Sequence, residues 1–464
     1  MKKYYLLKPA VLCLIFFHIS FISFSHLRLQ VSGVELRDTS ETVCENLNVL
    51  CRVWGFVKYY HPAMTWGEYD MDSELFSIIH EVAESESADK RNKIIFDWAS
   101  HLGSFKSEKK IPVCPGVCES LNNSWIRDCR LLGKNLSRLL ERMERAKRKY
   151  LSRFAREDIP GYFSFQFEKT YRNILSKDAG FRLLFLFRLW NAVKYFSPDA
   201  VPEGKMDSLL ERFIPKFITC SSDGELESLS KEIESCFNGL KFCYGPDTLQ
   251  YSVIKPLSIT ARSGYCLLGN NMGYLYPGTL TYEKLDNAMY QFSDTRGIII
   301  DLRSSPKEFL SNELASYFVK SRVCFALQCS PDYNFPGRFL CKEVFCRKGS
   351  HNKLYGGRIV LIVNNKTSPE AESLAMCLQK APCVTTIGGH TPGSAGKTIY
   401  LPLSYDGTGV YFPYTSLKYP DGTPLRGRGV KIDKIVEPSS GKMAGNSENG
   451  GDELLEEAKR IIME

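Results

Sequence analysis

Between residues 296 and 397, short β-branched runs alternate with helix-length segments, and a chain patterned this way has few architectures open to it. Arg296-Gly297-Ile298-Ile299-Ile300-Asp301-Leu302-Arg303 predicts a buried strand ending in a charged turn, and residues 308–319 then take helical spacing. Arg358-Ile359-Val360-Leu361-Ile362-Val363-Asn364 predicts a second buried strand, after which a helix opens at Thr367-Ser368-Pro369-Glu370-Ala371-Glu372 and runs to about Lys380. Residues 384–387 predict a third strand, leading into the glycine-rich turn Gly388-Gly389-His390-Thr391-Pro392-Gly393-Ser394-Ala395-Gly396-Lys397. Strands buried on both faces and joined by helices form βαβ units, so a mostly parallel sheet is expected.

Upstream the texture is helical and contains an internal repeat. Arg52-Val53-Trp54-Gly55-Phe56-Val57-Lys58-Tyr59-Tyr60-His61-Pro62 returns as Arg188-Leu189-Trp190-Asn191-Ala192-Val193-Lys194-Tyr195-Phe196-Ser197-Pro198. Each copy is followed by a Met-Asp pair, Met71-Asp72 and Met206-Asp207, that opens a further apolar helical run. Two copies are too few for a solenoid. They predict two related units, each a helix ending before proline, a turn, and a second helix starting at an aspartate cap. The aromatic residues of the repeat are expected in the core, and the replacement of His61 by Ser197 argues against a shared catalytic role.

The N-terminus reads as an export signal over residues 1–25: Lys2 and Lys3, an apolar run over residues 9–24, and small residues at Ser23 and Ser25. That run is short of the roughly 20 residues needed to cross a bilayer. A mature chain beginning near His26, periplasmic or extracellular and with no stable membrane span, is therefore expected. At 464 residues and 44% hydrophobic, the chain is long enough for two or three units. The expected division is a helical region over residues 36–240 and an α/β domain over residues 266–464.

The net charge of +8 is localised, because residues 130–156 hold ten Lys/Arg against Glu141 and Glu144. Leu136, Leu139, Leu140, Met143, Leu151 and Phe154 fall near helical spacing there, predicting an amphipathic helix with a solvated basic face. With the rest of the chain neutral, no nucleic-acid partner is expected. One of the 16 cysteines, Cys13, lies in the apolar run, and the remaining odd number leaves at least one thiol without a partner in the chain. An oxidising compartment permits one or two disulfides, and spacing does not give the pairing. The cysteines and seven histidines lack the paired spacing of a zinc site, so no metal or cofactor is expected.

The order of a strand ending Asp301-Leu302-Arg303, a strand ending Val363-Asn364-Asn365, a helix opening Thr-x-x-x-Ala-Glu, and an Ile-Gly-Gly-x-Thr-x-Gly turn resembles the C-terminal-processing (tail-specific) serine peptidase family. The late Tyr419-Pro420-Asp421-Gly422 and Gly429-Val430-Lys431-Ile432-Asp433 segments add to the resemblance, which covers roughly residue 269 to the C-terminus. The tandem Trp-Lys-Tyr-Pro segments are similar to the helical N-terminal region of one branch. The resemblance implies a crotonase-like α/β domain, shared with the Clp protease subunits, preceded by a mainly helical region. It further implies hydrolysis of peptides or unfolded proteins by a serine at a helix N-terminus, helped by a lysine in one branch and a histidine-containing network in another.

A serine so placed has a physical rationale, since the first-turn amides and the macrodipole stabilise a developing oxyanion. In this chain the family's nucleophile position, the third of Thr-x-Ser-x-Ala-Glu, is Pro369. Ser368, one residue earlier, remains as a nucleophile candidate and equally as a helix cap, with Thr367 and Glu370 an alternative capping box. Glu372 reads as a helix charge or local hydrogen-bond partner. The lysine position of the turn is Ser394, leaving Lys397 as the candidate base, and residues 237–241 hold no histidine where the other branch has one. Residues 238–269 are too few for a peptide-capturing PDZ domain. Two functions follow: an exported serine peptidase using Ser368 and Lys397, or a catalytically inactive relative that binds peptides or partner proteins through the same fold.

Overall fold

The computed structural model describes residues 31–111, 117–148, 156–159, 162–165, 168–171, 177–198, 205–244, 264–306, 311–346, 354–403, 408–436 and 452–464. The proposed export signal lies outside them. Both copies of the repeat form the expected helix pairs: α1 (Glu41–Tyr60) with α2 (Met71–Ala83), and α3 (Ala179–Phe196) with α4 (Met206–Thr219). Ser40 and Asp178 cap the first helix of each pair. Each of those helices stops where the residue before a proline, His61 or Ser197, turns extended, as the steric demand of the proline ring requires.

The tryptophan and the Met-Asp pair of each copy explain one another. Trp54 Nε1 donates to Met71 O at 2.8 Å, and Trp190 Nε1 donates to Met206 O at 2.9 Å, so the same bond closes both hairpins. Lys58 and Lys194 place their ammonium groups 4.9 and 4.2 Å from the centroids of these two rings. The copies then interlock by exchange: Arg188 pairs with Asp72, and Arg52 Nη2 lies 3.6 Å from Asp207 Oδ2. At the crossing, a Cβ on Gly55 would come within 1.9 Å of Asn191 Cγ, so the first copy needs glycine where the second carries asparagine. Asn191 Nδ2 in turn donates to Cys51 O at 3.0 Å. The equivalent Tyr59 and Tyr195 meet edge to face with centroids 5.6 Å apart.

The expected aspartate cap holds in one copy and not in the other. Asp70 caps α2, whereas Lys205 sits at the start of α4 without a side-chain cap. Asp207 lies between Arg52 and Lys194, 3.6 Å from each. The aspartates of both Met-Asp pairs serve the interface, Asp72 with Arg188 and Asp207 with Arg52, and the copies differ at the residue before the pair, Asp70 in one and Lys205 in the other.

His61 and Ser197 differ for a similar reason. His61 Nδ1 accepts from Ala63 N–H at 3.2 Å and caps the short helix Pro62–Trp66, whereas Ser197 Oγ donates to Pro413 O in the C-terminal half. Burial pushes the His61 imidazole down from 6.5 to about 4, against a hydrogen bond with the Gly103 backbone. The unfolded chain takes a proton near pH 6.5 and the folded chain resists until about pH 4. Stability is therefore expected to fall as pH drops through that window, by up to about 3 kcal/mol, and to level off below it. Urea titrations of the protein and a His61→Asn variant from pH 7 to 4 check this; equal acid slopes in the two would refute it.

The basic helix is shorter than the sequence predicts. It runs Cys129–Glu144, kinked at Gly133 (φ 68°), and buries Leu132, Leu136, Leu140 and Met143 while leaving Arg130, Lys134 and Arg138 exposed. It ends because the next residues pair as extended chain: Glu108 N–H donates to Arg145 O at 2.8 Å and Lys147 N–H to Lys106 O at 2.9 Å. Arg156 begins a strand, Arg156–Ile159, rather than ending a helix. Nor is the basic face wholly solvated, since Arg148 lies 4.7 Å over the Tyr60 ring and donates to Asn334 O at 2.6 Å.

The C-terminal half holds strands β1 (Tyr265–Leu268), β2 (Met272–Leu275), β3 (Gly297–Asp301), β4 (Cys324–Pro331), β5 (Arg338–Phe345), β6 (Arg358–Val363), β7 (Val384–Gly388), β8 (Thr398–Pro402), β9 (Gly409–Pro413), β10 (Ser416–Lys418) and β11 (Lys434–Ile435). A six-stranded sheet has the order β11-β7-β6-β3-β2-β1, parallel throughout except for the antiparallel β1–β2 pair. Alternation along its central strands explains their unbroken apolar sequence. Ile298, Ile300, Leu361 and Val363 face one layer with α5 (Pro369–Leu378), while Ile299, Val360 and Ile362 face α6 (Glu453–Met463). The Asp-Leu-Arg motif clamps the second layer: Arg303 Nε donates to Asp301 Oδ1 at 2.9 Å and Nη1 to Asp452 Oδ1 at 3.1 Å, and Asp452 caps α6.

The helix expected over residues 308–319 is present over Ser311–Ala315 only, with residues 307–310 outside the description. Beyond Ala315 the chain tightens into i→i+3 turns, Tyr317 N–H to Leu314 O and Phe318 N–H to Ala315 O, which bring Phe318 and Val319 into the core. A second, antiparallel sheet orders Val117–Ser120, β5, β4 and β10, and a disulfide joins the directly opposed Cys329 and Cys341. A third sheet places β9 between β8 and Lys241–Cys243. The helical half docks on the β4–β5 turn, where Gly337 N–H donates to Tyr195 O at 2.9 Å and Tyr60 OH donates to Pro336 O. The whole is a mixed α/β molecule with a mainly helical N-terminal region, as the sequence predicts.

Candidate active site

Strand β6 delivers the chain to the start of α5 through a turn held by its own polar groups. Asn364 N–H donates to Thr367 Oγ1 at 2.9 Å, Thr367 N–H to Asn364 O at 3.1 Å, and Lys366 N–H to Asn364 Oδ1 at 2.9 Å. Thr367 is thereby engaged and forms no capping box with Glu370. Ser368 is the cap: its backbone is extended (φ −71°, ψ 165°), its Oγ accepts the Ala371 N–H at 3.2 Å, and its carbonyl accepts the Glu372 N–H at 2.8 Å. Pro369 follows as the first helical residue, the position where a missing N–H costs least.

This start is poor in the groups a serine nucleophile needs. Ser368 is 8% exposed, and its hydroxyl is oriented by the helix amide it accepts from. Of the first-turn donors that would face an oxyanion, Pro369 has none and Ala371 gives its own to Ser368.

Lys397, the candidate base, is exposed at the root of β8. Its main chain is pinned, with its N–H donating to Thr415 Oγ1 at 2.6 Å and its carbonyl accepting Tyr414 N–H at 2.9 Å. The two candidates thus differ in setting, one buried at a helix start and the other exposed just before β8. Ser394, at the family's lysine position, is half-buried in the turn, and His390 is exposed. Around Leu240, where the other branch has its histidine, the chain enters the Lys241–Cys243 strand and pairs with β9.

The group at the centre of the site is Glu372, which the sequence suggests only as a helix charge or hydrogen-bond partner. One turn into α5 it is fully buried, and it accepts four hydrogen bonds from the glycine-rich turn. Thr391 Oγ1 donates at 2.6 Å, Gly393 N–H at 2.6 Å, Ser394 N–H at 2.7 Å and Ala395 N–H at 2.9 Å. Burial pushes its carboxyl up, against the pull of these donors. Successive amides converging on one anion form a nest, filled here by the protein's own carboxylate.

The glycines of the turn serve this geometry. Gly388 (φ 125°) ends β7 where a Cβ would lie 2.0 Å from Val363 O, and Gly393 (φ 66°) turns where one would lie 2.4 Å from Leu425 O. Thr391 Oγ1 also accepts the Val430 N–H at 3.0 Å, which ties the late Gly-Val-Lys-Ile-Asp segment to the same carboxylate.

Gln379, at the end of α5, is a partner that sequence reasoning missed. Its Nε2 donates to Thr386 Oγ1 at 2.9 Å and Lys431 O at 2.8 Å, while its Oε1 accepts from Tyr419 OH at 3.1 Å. No sequence signal marks it, because its partners come from three separate segments. Among the described residues, no cluster of three or more His, Cys, Asp or Glu is placed to hold a metal ion, and no helix is long and apolar enough to cross a membrane.

Comparison with known proteins agrees with the sequence order of this site. The model of peptidase family S41 matches residues 271–436. No curated protein matches the chain. Among solved structures, a candidate peptidase from Parabacteroides merdae ATCC 43184 is 16% identical, with 60% of this chain and 96% of that chain covered at a TM-score of 0.48. The photosystem II D1 C-terminal processing protease is 20% identical over 43% of this chain and 49% of its own, at a TM-score of 0.27. Mature CPAF is 10% identical over 85% and 93%, at a TM-score of 0.30.

Proposed function

We propose that this chain, a divergent member of peptidase family S41 through its residues 271–436, is an exported protein that binds peptides or partner proteins without hydrolysing them. The observation that carries the proposal is the start of α5, where Pro369 stands at the nucleophile position and the adjacent Ser368 hydroxyl is held as a helix cap. A serine attacks only when a base takes its proton and donors await the oxyanion. Here the hydroxyl accepts from the helix, the candidate Lys397 is exposed just before β8, and Glu372 occupies the amides of the turn. Family membership supports peptides or proteins as the bound class, and adding an extended segment to a sheet edge is the mode that suits such a fold.

The test uses mature protein from an oxidising compartment, whose sequenced N-terminus is expected near His26. It is exposed to a fluorophosphonate probe beside a Ser368→Ala variant, and to fluorescein-labelled unstructured peptides followed by anisotropy and mass spectrometry. No covalent labelling and a rise in anisotropy with peptides intact are expected. Labelling that disappears in Ser368→Ala, together with cleaved peptide, would instead establish a serine peptidase using Ser368. A chain that keeps residues 1–20 in the membrane would overturn the export part alone.

A further inference from the structure

Two thiols outside the Cys329–Cys341 disulfide face each other at the far end of the helix that begins after Ser368. Cys346 directly follows β5, its N–H donating to Val323 O at 2.9 Å, and Cys377 lies in the last turn of α5. Both are fully buried in the core between sheet and helix. Their Sγ atoms are 3.0 Å apart, and Cys346 Sγ also donates to Cys377 O at 3.5 Å. A disulfide bond is about 2.05 Å long, so closing the gap asks for roughly 1 Å of side-chain movement.

We propose that Cys346 and Cys377 form a second disulfide when the chain folds in an oxidising medium. The oxidant is a disulfide of the medium, such as glutathione disulfide or an oxidised dithiol protein. One cysteine thiolate attacks a sulfur of that donor, forming a mixed disulfide and releasing one donor thiolate. The second cysteine, as its thiolate, attacks the protein sulfur of the mixed disulfide and releases the other donor sulfur. Two protons leave the protein thiols, and the donor carries away two electrons as two thiols. Cys377 directs its S–H at Cys346, which holds the Cys346 thiol below its usual value while the same contact and burial push Cys377 up. With both sulfurs inaccessible in the folded molecule, exchange takes place before β5 and α5 close over them.

The crosslink has a place in the architecture. The two residues are 31 positions apart, and the loop they close contains β6 and the whole Ser368 turn. It joins α5 to the strand hairpin already bridged by Cys329–Cys341, whose turn receives the Tyr60 hydroxyl and the Tyr195 carbonyl contact of the helical half. Both ends of α5 are then fixed: Glu372 holds the glycine-rich turn near its start, and the disulfide holds its last turn. A cross-link over a loop of this length restrains the unfolded chain more than the Cys329–Cys341 bridge does, whose residues are 12 positions apart.

The full chain, reduced in denaturant and refolded with reduced and oxidised glutathione, is alkylated under denaturing conditions and digested with trypsin without reduction. Trypsin places Cys341, Cys346 and Cys377 on separate peptides: residues 339–342 carry Cys341, residues 343–347 carry Cys346, residues 367–380 carry Cys377, and residues 323–338 carry both Cys324 and Cys329. Peptide 343–347 linked to peptide 367–380 is the expected product. Recovery of these two separately alkylated, or linked to other cysteines, overturns the proposal. A Cys346→Ala/Cys377→Ala double variant is expected to melt about 5 °C below the parent without reductant, and the gap to close when both are reduced. A gap that persists in reductant would assign the effect to packing and count against the cross-link.

Discussion

Replacing Glu372 by alanine is expected to lower the stability of the α/β half by about 3–5 kcal/mol, because it leaves Thr391 Oγ1 and the amides of Gly393, Ser394 and Ala395 facing an empty space. Four separate penalties do not add in full, since the turn relaxes and admits water. Glu372→Gln is expected to be destabilising too, although it keeps the volume, because its amide turns one acceptor into a donor facing donors. Urea unfolding gives the magnitude, and hydrogen exchange locates it: the amides of residues 393–395 should lose protection before those of β6. An alanine variant with an unchanged midpoint would show that the cradle does not hold the turn.

Trp54→Ala and Trp190→Ala are each expected to lower stability by about 3–5 kcal/mol, through the cavity and the loss of the indole hydrogen bond to Met71 O or Met206 O. The rings are 0% and 2% exposed, so little of the loss is recovered by solvent. Because Trp54 lies 6.4 Å from Phe187 across the interface of the two copies, the double variant should fall short of the sum. Trp→Phe at either position keeps most of the packing and removes the donor, and is expected to cost about 1–2 kcal/mol. Chemical denaturation of the four single variants and the double decides this. Unchanged midpoints in both alanine variants would mean that the hairpins are not closed by these rings.

Much of this was legible in the residue order. The central strands β3, β6 and β7 were readable because strands buried on both faces carry unbroken β-branched runs. The start of α5 was readable because a serine before a proline favours one backbone geometry. Less was visible where pairing partners lie far apart. The basic segment kept helical spacing past Glu144, but Arg145 and Lys147 pair with residues 106–108 instead. The Glu372 cradle was half legible, as a glutamate with a local partner, while the four donors come from a turn some twenty residues on.

What the sequence by itself determined is local: which runs bury both faces, where prolines end helices, and that a proline, Pro369, follows Ser368 at the start of α5. It also revealed that two copies of one motif exist. Only the tertiary structure decided that those copies exchange arginines for aspartates across a Gly55–Asn191 crossing. It likewise decided that Cys346 reaches Cys377 rather than one of the cysteines nearer in sequence. The physical reason is common to both. A backbone preference is set by a few adjacent residues, whereas the partner of a buried charge, amide or thiol is chosen by which distant segments the packed core brings within hydrogen-bond reach.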